Sequence, residues 1–380
     1  MIEPGKRTNS VGTQGSSAKR ENILVFSSSH DYRQPRKANI HFITEALAKD
    51  HDVRFASVGY SFLNELKAHN PRRVIASKAN RPETVGNVEC LLWKSPFHPV
   101  NLHRNWLAPI SRFAHWIYRK MLSPELRRWI AEADIIIFEC GLCSTLIPPA
   151  FKLNPEARII YNASDGIEAI GADPILLDVL KKNSTSIYAA RIPSAALSPE
   201  LAFIDDLRLI PHAVHDLLFD DPGPSPYGPG RHVVSIGSML FDPWVIEVLS
   251  RQFSQITFHL IGTGQAKMLE RPNVFWYDEM PFAETLRYLF HSDVSLAPYR
   301  DKTAPSYLKD TSMKLIQSDH YGIPSVCPEF ATDGTKSQRF AYRPGDENGL
   351  VKAFRQALEA ERKPAGSTLT WADVAARLIQ

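Results

Sequence analysis

A helix followed by a strand is encoded in residues 310–319 (DTSMKLIQSD) and 322–326 (GIPSV). Thr311 or Ser312 is a good N-cap, the apolar residues after it continue the helix, and the glycine ends it. A helix start exposes free backbone N–H groups at the positive end of the dipole, and Lys314 adds a full charge there. A helix start that also carries a lysine favours a site for a strongly anionic ligand, such as a diphosphate or a carboxylate. The alternative is a surface helix with a solvated lysine.

Short apolar runs alternate with helical segments on both sides of this stretch. Predicted strands lie at 23–26, 53–57, 88–92, 134–138, 158–161, 186–189, 233–236, 257–261, 274–276, 294–297 and 325–326. Such alternation is typical of parallel sheets with helices on both faces. The predicted fold class is therefore α/β, with two doubly wound, Rossmann-like domains that face a central cleft.

A chain of 380 residues is too long for one core, and a Pro/Gly-rich stretch within 211–231 is the best linker. Residues 1–20 are polar and predict a disordered tail rather than a signal peptide. We expect a first domain at 21–210 and a second at 211–362. Residues 363–380 predict a C-terminal helix that could pack back on the first domain.

Composition excludes several classes of protein. The net charge of +3 is too small to indicate a nucleic-acid partner, and no run of about 18 apolar residues could span a membrane. Four cysteines in this length suggest a reducing compartment. Cys140 and Cys143 have CxxC spacing, but no second pair accompanies them, so we predict no metal site.

Two glycine-containing loops follow predicted strands of the second domain, at Gly237 and Gly262. Glycine lets the backbone approach phosphate closely, although each loop taken singly could be a plain tight turn. Together with the helix that carries Lys314, these loops would line one edge of the same sheet. The combination favours a nucleotide-diphosphate site.

In the first domain, Asp165 directly follows a predicted strand, which places it at the ligand edge of the sheet. A carboxylate there could accept a proton from an attacking hydroxyl, or it could simply be a turn former or a helix cap. His30 and Asp31 are the other titratable pair at that edge, where structural or binding roles are favoured over catalysis. Their loop lacks GxGxxG, which disfavours a dinucleotide dehydrogenase.

Residues 97–130 combine cations with aromatic side chains and contain a single acid, Glu125. A basic amphipathic helix with aromatic residues suits an anionic membrane surface. The alternative is a core-facing helix with a solvated basic face.

A series of motifs runs in order from about residue 23 to 375. It comprises 28–33 (SSHDYR), 38–44 (ANIHFIT), 97–99 (FHP) with Arg104 and Trp106, 163–166 (ASDG), 237–243 (GSMLFDP), 297–299 (APY) and 312–315 (SMKL). In these motifs the chain resembles the membrane-associated glucuronosyltransferases of xanthan assembly.

The resemblance implies a GT-B fold and a peripheral protein at the cytoplasmic face of the inner membrane. It also implies metal-independent inversion, with UDP-glucuronate as donor, no other cofactor, and a polyprenyl-diphosphate-linked glycan as acceptor. The domain at 21–210 would bind acceptor and membrane, and the domain at 211–362 would bind the nucleotide sugar. Asp165 would be the catalytic base, and Lys314 would meet either the phosphate or the glucuronate carboxylate. Combined with the loops above, the predicted donor site comprises Gly237, Met239, Gly262, Glu279, Tyr299, Ser312, Met313, Lys314, Leu315 and Gln317. The predicted acceptor and membrane residues are His30, Asp31, Arg33, Arg104, Trp106, Arg112, Trp116, Arg119 and Lys120.

One departure stands at the domain junction, where the family's His-Gly-Val-Asp is 212–215 (HAVH) here. A glycine and a carboxylate are lost, which bears on hinge geometry and acceptor contacts. Three alternatives stay open: another UDP-sugar donor, a UDP-sugar epimerase on the same fold, and a catalytically silent nucleotide-sugar or lipid-binding module.

Overall fold

Two mainly parallel sheets, each flanked by helices, make up the computed structural model. It describes residues 20–34, 37–65, 71–264, 269–300, 304–336, 338–364, 366 and 368–380. The tail predicted at 1–20 lies outside these ranges except for Arg20. Within them, no helix is both long enough and apolar enough to cross a bilayer.

The strands are β1 Asn22–Ser27, β2 Asp52–Ser61, β3 Glu83–Val85, β4 Val88–Ser95, β5 Ile135–Glu139, β6 Arg158–Asn162, β7 Ala189–Ile192, β8 Leu207–Leu209, β9 Arg231–Ile236, β10 Ile256–Ile261, β11 Val274–Tyr277, β12 Val294–Leu296, β13 Ser325–Pro328 and β14 Arg339–Tyr342. The helices are α1 Asn39–Leu47, α2 Phe62–Glu65, α3 Ala108–Lys120, α4 Pro124–Glu132, α5 Ile147–Leu153, α6 Ile175–Lys182, α7 Pro243–Gln252, α8 Phe282–His291, α9 Leu308–Thr311, α10 Met313–Tyr321, α11 Glu347–Glu359 and α12 Trp371–Ile379.

The first sheet has the order β3-β4-β2-β1-β5-β6-β7-β8, and β3 alone among these runs antiparallel to its neighbour. We call this sheet and its helices the first lobe. Its central strand is buried on both faces: Leu24 and Phe26 enter one core, and Ile23 and Val25 enter the other. This is the pattern of a strand covered on both sides.

The second sheet, with its helices the second lobe, has the order β11-β10-β9-β12-β13-β14 and is parallel throughout. This is the doubly wound order in which ligands bind where the strand sequence reverses, here between β9 and β12. The corresponding reversal in the first sheet lies between β1 and β5. The predicted α/β class with two doubly wound sheets is confirmed.

Helix α10 has the start and end that its sequence predicts. The Ser312 hydroxyl accepts a hydrogen bond from the Leu315 amide at 3.4 Å. At the other end Gly322 adopts the left-handed conformation, with a φ of 67°. A Cβ there would lie 2.2 Å from the backbone nitrogen of Pro364, so a glycine is required for two reasons.

Helix α12 lies on the first lobe although it follows the second lobe in the chain. Trp371, Val374 and Leu378 belong to the same buried cluster as Ile23 and Val25. Burial of large apolar side chains against each other is the main source of stability in such a contact. One wall of the first lobe's core therefore comes from residues at the far end of the sequence.

Candidate active site

The loops at the carboxyl ends of the two sheets meet each other. Tyr307, just before α9, extends from the second lobe into a core cluster of the first. Nearby, the Ser194 hydroxyl of the first lobe donates to the carboxylate of Asp310 at 2.5 Å. The two edges at which parallel sheets bind ligands are thus in contact.

Asp165 follows β6 at this junction and is largely buried. Its Oδ1 accepts a hydrogen bond from the Tyr307 hydroxyl at 3.3 Å. Burial, followed by the charge of Glu139, raises the pKa of Asp165 to about 6, although the tyrosine bond opposes this rise. A carboxylate with that pKa is ionised at neutral pH yet basic enough to accept a proton.

Glu139, the last residue of β5, is a second buried carboxyl beside Asp165. It accepts a hydrogen bond from Ser27, and the His30 Nε2 lies 4.0 Å from its Oε1. Burial raises the pKa of Glu139 to about 7. Sequence reasoning missed this residue, although a carboxylate directly after the predicted strand 134–138 was a usable signal.

The two glycine loops of the second lobe touch each other. Gly237 and Gly262 have φ values of 85° and 59°, which other residues rarely adopt. A Cβ on Gly264 would lie 3.5 Å from that of Ser238, and one on Gly262 would lie 3.3 Å from Cγ of Glu279. These loops and Glu279 therefore form one surface at the ends of β9 and β10.

Tyr299 joins that surface to the start of α10. Residue 299 pairs through its backbone with Phe241, in the loop after β9. Its hydroxyl lies 2.5 Å from the Ser312 hydroxyl. The Lys314 ammonium is buried, 5.0 Å from the centroid of the Tyr299 ring, a cation–π contact. The predicted combination of glycine loops, helix start and lysine is thus assembled at one edge of the second sheet.

The side chains of the remaining predicted donor residues differ in how deeply they are buried. Met239 is exposed on its loop, and Gln317 is partly buried on α10. Met313 packs against a first-lobe core cluster. Leu315 is fully buried with Tyr299 and Cys327, so its side chain contributes to the core, and its predicted contact with the donor stays a prediction.

In the first lobe, Asp31 and Arg33 form a buried ion pair. The Arg33 Nε lies 2.8 Å from Asp31 Oδ1, and a second nitrogen lies 3.2 Å from Glu83. Burial alone would raise the pKa of Asp31, but Arg33 outweighs it and holds that pKa below its usual value. Their charges compensate each other within the loop, and His30 beside them is more accessible. Contact of these three residues with an acceptor stays a prediction.

Helix α3 turns an apolar face to solvent. Trp106 just before it, with Ile110, Phe113 and Trp116 on it, are each more than half exposed, with values of 74%, 58%, 60% and 53%. We call these four residues the aromatic face. The alternative prediction, a core-facing helix whose solvated face is basic, does not account for these exposed apolar side chains.

Cations surround the aromatic face. Arg104, Arg112 and Lys120 are exposed, whereas Arg119 is partly buried, which lowers its pKa. The opposite side of α3 is buried: the Ser111 hydroxyl bonds to Asp173, and His115 Nδ1 lies 2.7 Å from the Thr145 hydroxyl. Asp173 belongs to the loop that follows Asp165, so α3 packs directly on that loop.

A chain of hydrogen bonds links the two lobes and passes through Ser164, the residue before Asp165. It runs from donor to acceptor through Arg191, Asn162, Ser164, Asn39, His212 and the carbonyl of Thr311. Because the carbonyl cannot donate, the His212 proton sits on Nδ1 and Nε2 accepts from Asn39. Burial and the nearby charge of Arg191 lower the pKa of His212 to about 3, so the ring stays neutral. No sequence pattern indicated this chain.

The cysteine pair has no ligand-binding geometry. Cys140 and Cys143 are buried free thiols. Among the residues that the structure describes, no three His, Cys, Asp or Glu side chains group as a metal site.

Comparisons with known proteins agree with this architecture. Residues 26–193 match the family model described as glucuronosyltransferase GumK, N-terminal domain. Over 374 residues the chain is 37% identical to the UDP-glucuronate:glycolipid 2-beta-glucuronosyltransferase of Xanthomonas campestris pv. campestris, covering 97% of this chain and 92% of that one.

Solved structures of other proteins share this fold. An E. coli trehalose-6-phosphate protein bound with UDP-2-fluoro glucose has a TM-score of 0.58 at 12% identity, covering 94% of this chain and 93% of that one. Sucrose-phosphate synthase from Thermosynechococcus elongatus has a TM-score of 0.55 at 14% identity, covering 94% and 92%. The predicted GT-B fold is confirmed, and at these identities the likeness concerns the fold alone.

Proposed function

The chain belongs to the GumK glucuronosyltransferase family, and we propose on that premise that it transfers a glucuronosyl group from UDP-glucuronate to a lipid-linked glycan. The family membership confirms the predicted class of enzyme, a glycosyltransferase. We assign the donor to the second lobe and the acceptor to the first. The relative's name specifies UDP-glucuronate, a glycolipid and a β-linked product.

In the proposed reaction, Asp165 accepts the proton of an acceptor hydroxyl as its oxygen attacks the anomeric carbon. The bond from that carbon to the diphosphate breaks on the opposite face, which inverts the configuration, and UDP leaves with the bonding electrons. Lys314 and the amide groups at the start of α10 stabilise the charge that develops on the diphosphate. The glycine loops let the backbone approach the phosphates. These residues supply positive charge at the leaving group without a metal ion.

One observation carries this proposal: the carboxylate of the first lobe contacts a segment that leads directly into the phosphate-binding helix of the second. From Tyr307 the turn of α9 advances about 6 Å, and three further residues reach Lys314 within about 11 Å. Lys314 is therefore only seven residues along the chain from the tyrosine that contacts the base, close enough for one nucleotide sugar to contact both.

A transfer assay with radiolabelled UDP-glucuronate and a lipid-linked acceptor tests the proposal. We expect label in the lipid fraction, and much less with UDP-glucose or UDP-galactose as donor. Conversion of the UDP-sugar in the absence of acceptor would indicate an epimerase instead. Donor binding without any turnover would indicate a silent binding module.

We expect an acid limb in the pH dependence of kcat/KM, centred near pH 6. Asp165 acts as a base only when ionised, and its pKa is raised to about 6. Activity should therefore be level above about pH 7 and fall about tenfold per pH unit well below 6. Tryptophan fluorescence over the same range separates this limb from unfolding. A limb near pH 4, the ordinary range of aspartate, would contradict a buried base.

We further propose that the aromatic face and its cations hold the enzyme on an anionic membrane surface as a peripheral protein, on the cytoplasmic side where nucleotide sugars are available. Exposed aromatic side chains beside Arg112 and Lys120 provide apolar area and charge on one side of a helix. Since α3 packs on the loop after Asp165, this docking would bring the base close to a lipid-linked acceptor.

Replacing Phe113 and Trp116 with serine should weaken binding to vesicles of anionic phospholipid at least tenfold, because each aromatic buries apolar area in the membrane. Co-sedimentation measures the effect. Phe275→Ser removes a similarly exposed aromatic from the second lobe and should leave binding unchanged. Equal binding by all three proteins would place the membrane contact elsewhere.

A further inference from the structure

Tyr307 has no role in the reaction as described, yet its side chain reaches from the second lobe to the base in the first. It precedes α9 of the second lobe but is 4% exposed and packs in the first lobe's core. Its hydroxyl accepts a hydrogen bond from the Gly166 amide at 3.0 Å. The same hydroxyl donates to Asp165 Oδ1 at 3.3 Å.

These two bonds fix the direction of the phenol proton. Because the amide can only donate, the hydroxyl must direct its proton toward the carboxylate. Burial raises the pKa of Tyr307 far above neutral, so this proton is present at every working pH. A bond donated to a carboxylate favours its ionised form and restrains its rotation.

Other ionisable groups surround the same carboxylate. Glu139 approaches from the end of β5, with His30 behind it, and Cys140 follows directly. Glu200, in the helical segment that follows β7, accepts a hydrogen bond from the Ile167 amide at 2.9 Å. Glu139 opposes ionisation of Asp165 by its charge, and burial keeps Cys140 protonated by raising its pKa. Tyr307 is thus the partner that favours the ionised base.

We propose that Tyr307 is a positioning residue for the base, supplied by the second lobe, so that Asp165 is held in its reactive orientation only while the two lobes are docked. This inference rests on the proposed function, since it presupposes that Asp165 takes the proton. It makes the docking of the lobes a requirement for proton transfer, in addition to bringing donor and acceptor together.

The test compares the pH dependence of kcat/KM for Tyr307→Phe, Ser194→Ala and Glu139→Gln with that of the unchanged protein. Tyr307→Phe keeps the ring in the core and removes only the hydroxyl. We expect its acid limb to move upward by roughly one pH unit and kcat at pH 8 to fall about tenfold. Glu139→Gln removes the neighbouring carboxyl that titrates together with Asp165 and raises its pKa, so the limb should move downward.

Ser194→Ala is the matched control, because it removes another contact between the lobes, the bond to Asp310, without touching the base. The acid limb of Ser194→Ala should lie at the same pH as that of the unchanged protein, even if the variant melts at a lower temperature. An unmoved limb in Tyr307→Phe, with unchanged melting, overturns the inference. That result is distinct from failure of the proposed function, which would appear as full activity of Asp165→Asn.

Discussion

Asp165→Asn should lower kcat for glucuronosyl transfer by about 10³-fold, within the range that general-base catalysis contributes. The amide has nearly the shape of the carboxylate and can still accept the hydrogen bond from Tyr307, but it cannot take a proton. Because we assign UDP binding to the second lobe, we expect the dissociation constant of UDP, measured by calorimetry, to change less than twofold.

The control for this loss is Asp178→Asn, which removes an exposed carboxylate from α6 of the same lobe. It should retain the full rate. If Asp165→Asn also transfers at an undiminished rate, the base lies elsewhere, and Glu139 becomes the next carboxyl to replace. If it loses UDP binding as well, the substitution has disturbed the junction of the lobes.

Lys314→Ala should lower kcat/KM by about 10²- to 10³-fold, the loss typical when one group that stabilises transition-state charge is removed. Measurement with two donors separates the two roles left open for this lysine. If Lys314 contacts the diphosphate, Lys314→Ala should lower kcat/KM by the same factor with UDP-glucuronate and with UDP-glucose. If Lys314 pairs instead with the glucuronate carboxylate, the substitution should lower kcat/KM with UDP-glucuronate only.

Lys309→Ala provides the comparison, since this lysine lies on α9, 3.5 Å from Asp333 at the surface. It removes the same charge from a nearby position and should change kcat/KM less than twofold. Equal losses for the two lysines would mean that the general positive potential matters, rather than a charge placed at the start of α10.

The central parts of the fold follow directly from the sequence, and its edges do not. Strands such as β1 and β5 are continuous apolar runs because both of their faces are buried, and they were predicted within about one residue. The edge strands β3, β8 and β14 contain polar residues such as Glu83, Arg208 and Arg339. They lack a hydrophobic pattern because only part of each is covered. The strand predicted at 186–189 begins only at Ala189, after a helical turn.

The candidate site likewise has one part that the sequence predicts and another that it does not. Features of local sequence, such as the Ser312 cap, the glycine loops and an aspartate after a strand, are predicted from the sequence, and the structure places them at the carboxyl ends of the two sheets. Contacts between the lobes are not predicted, because a single tyrosine that crosses the junction leaves no repeating pattern in the sequence. Sequence spacing also cannot show that Asp31 and Arg33 neutralise each other, or that Leu315 faces inward, since both depend on what packs over them.

The position of α12 affects how the protein is made. The first lobe leaves the ribosome early, but it lacks one wall of its core until residues 371–379 have been synthesised. Until then, apolar side chains that α12 later covers stay in contact with water, a state in which chains tend to aggregate or to need chaperones. The two lobes therefore cannot mature one after the other, and completion of the first lobe waits for translation of the second.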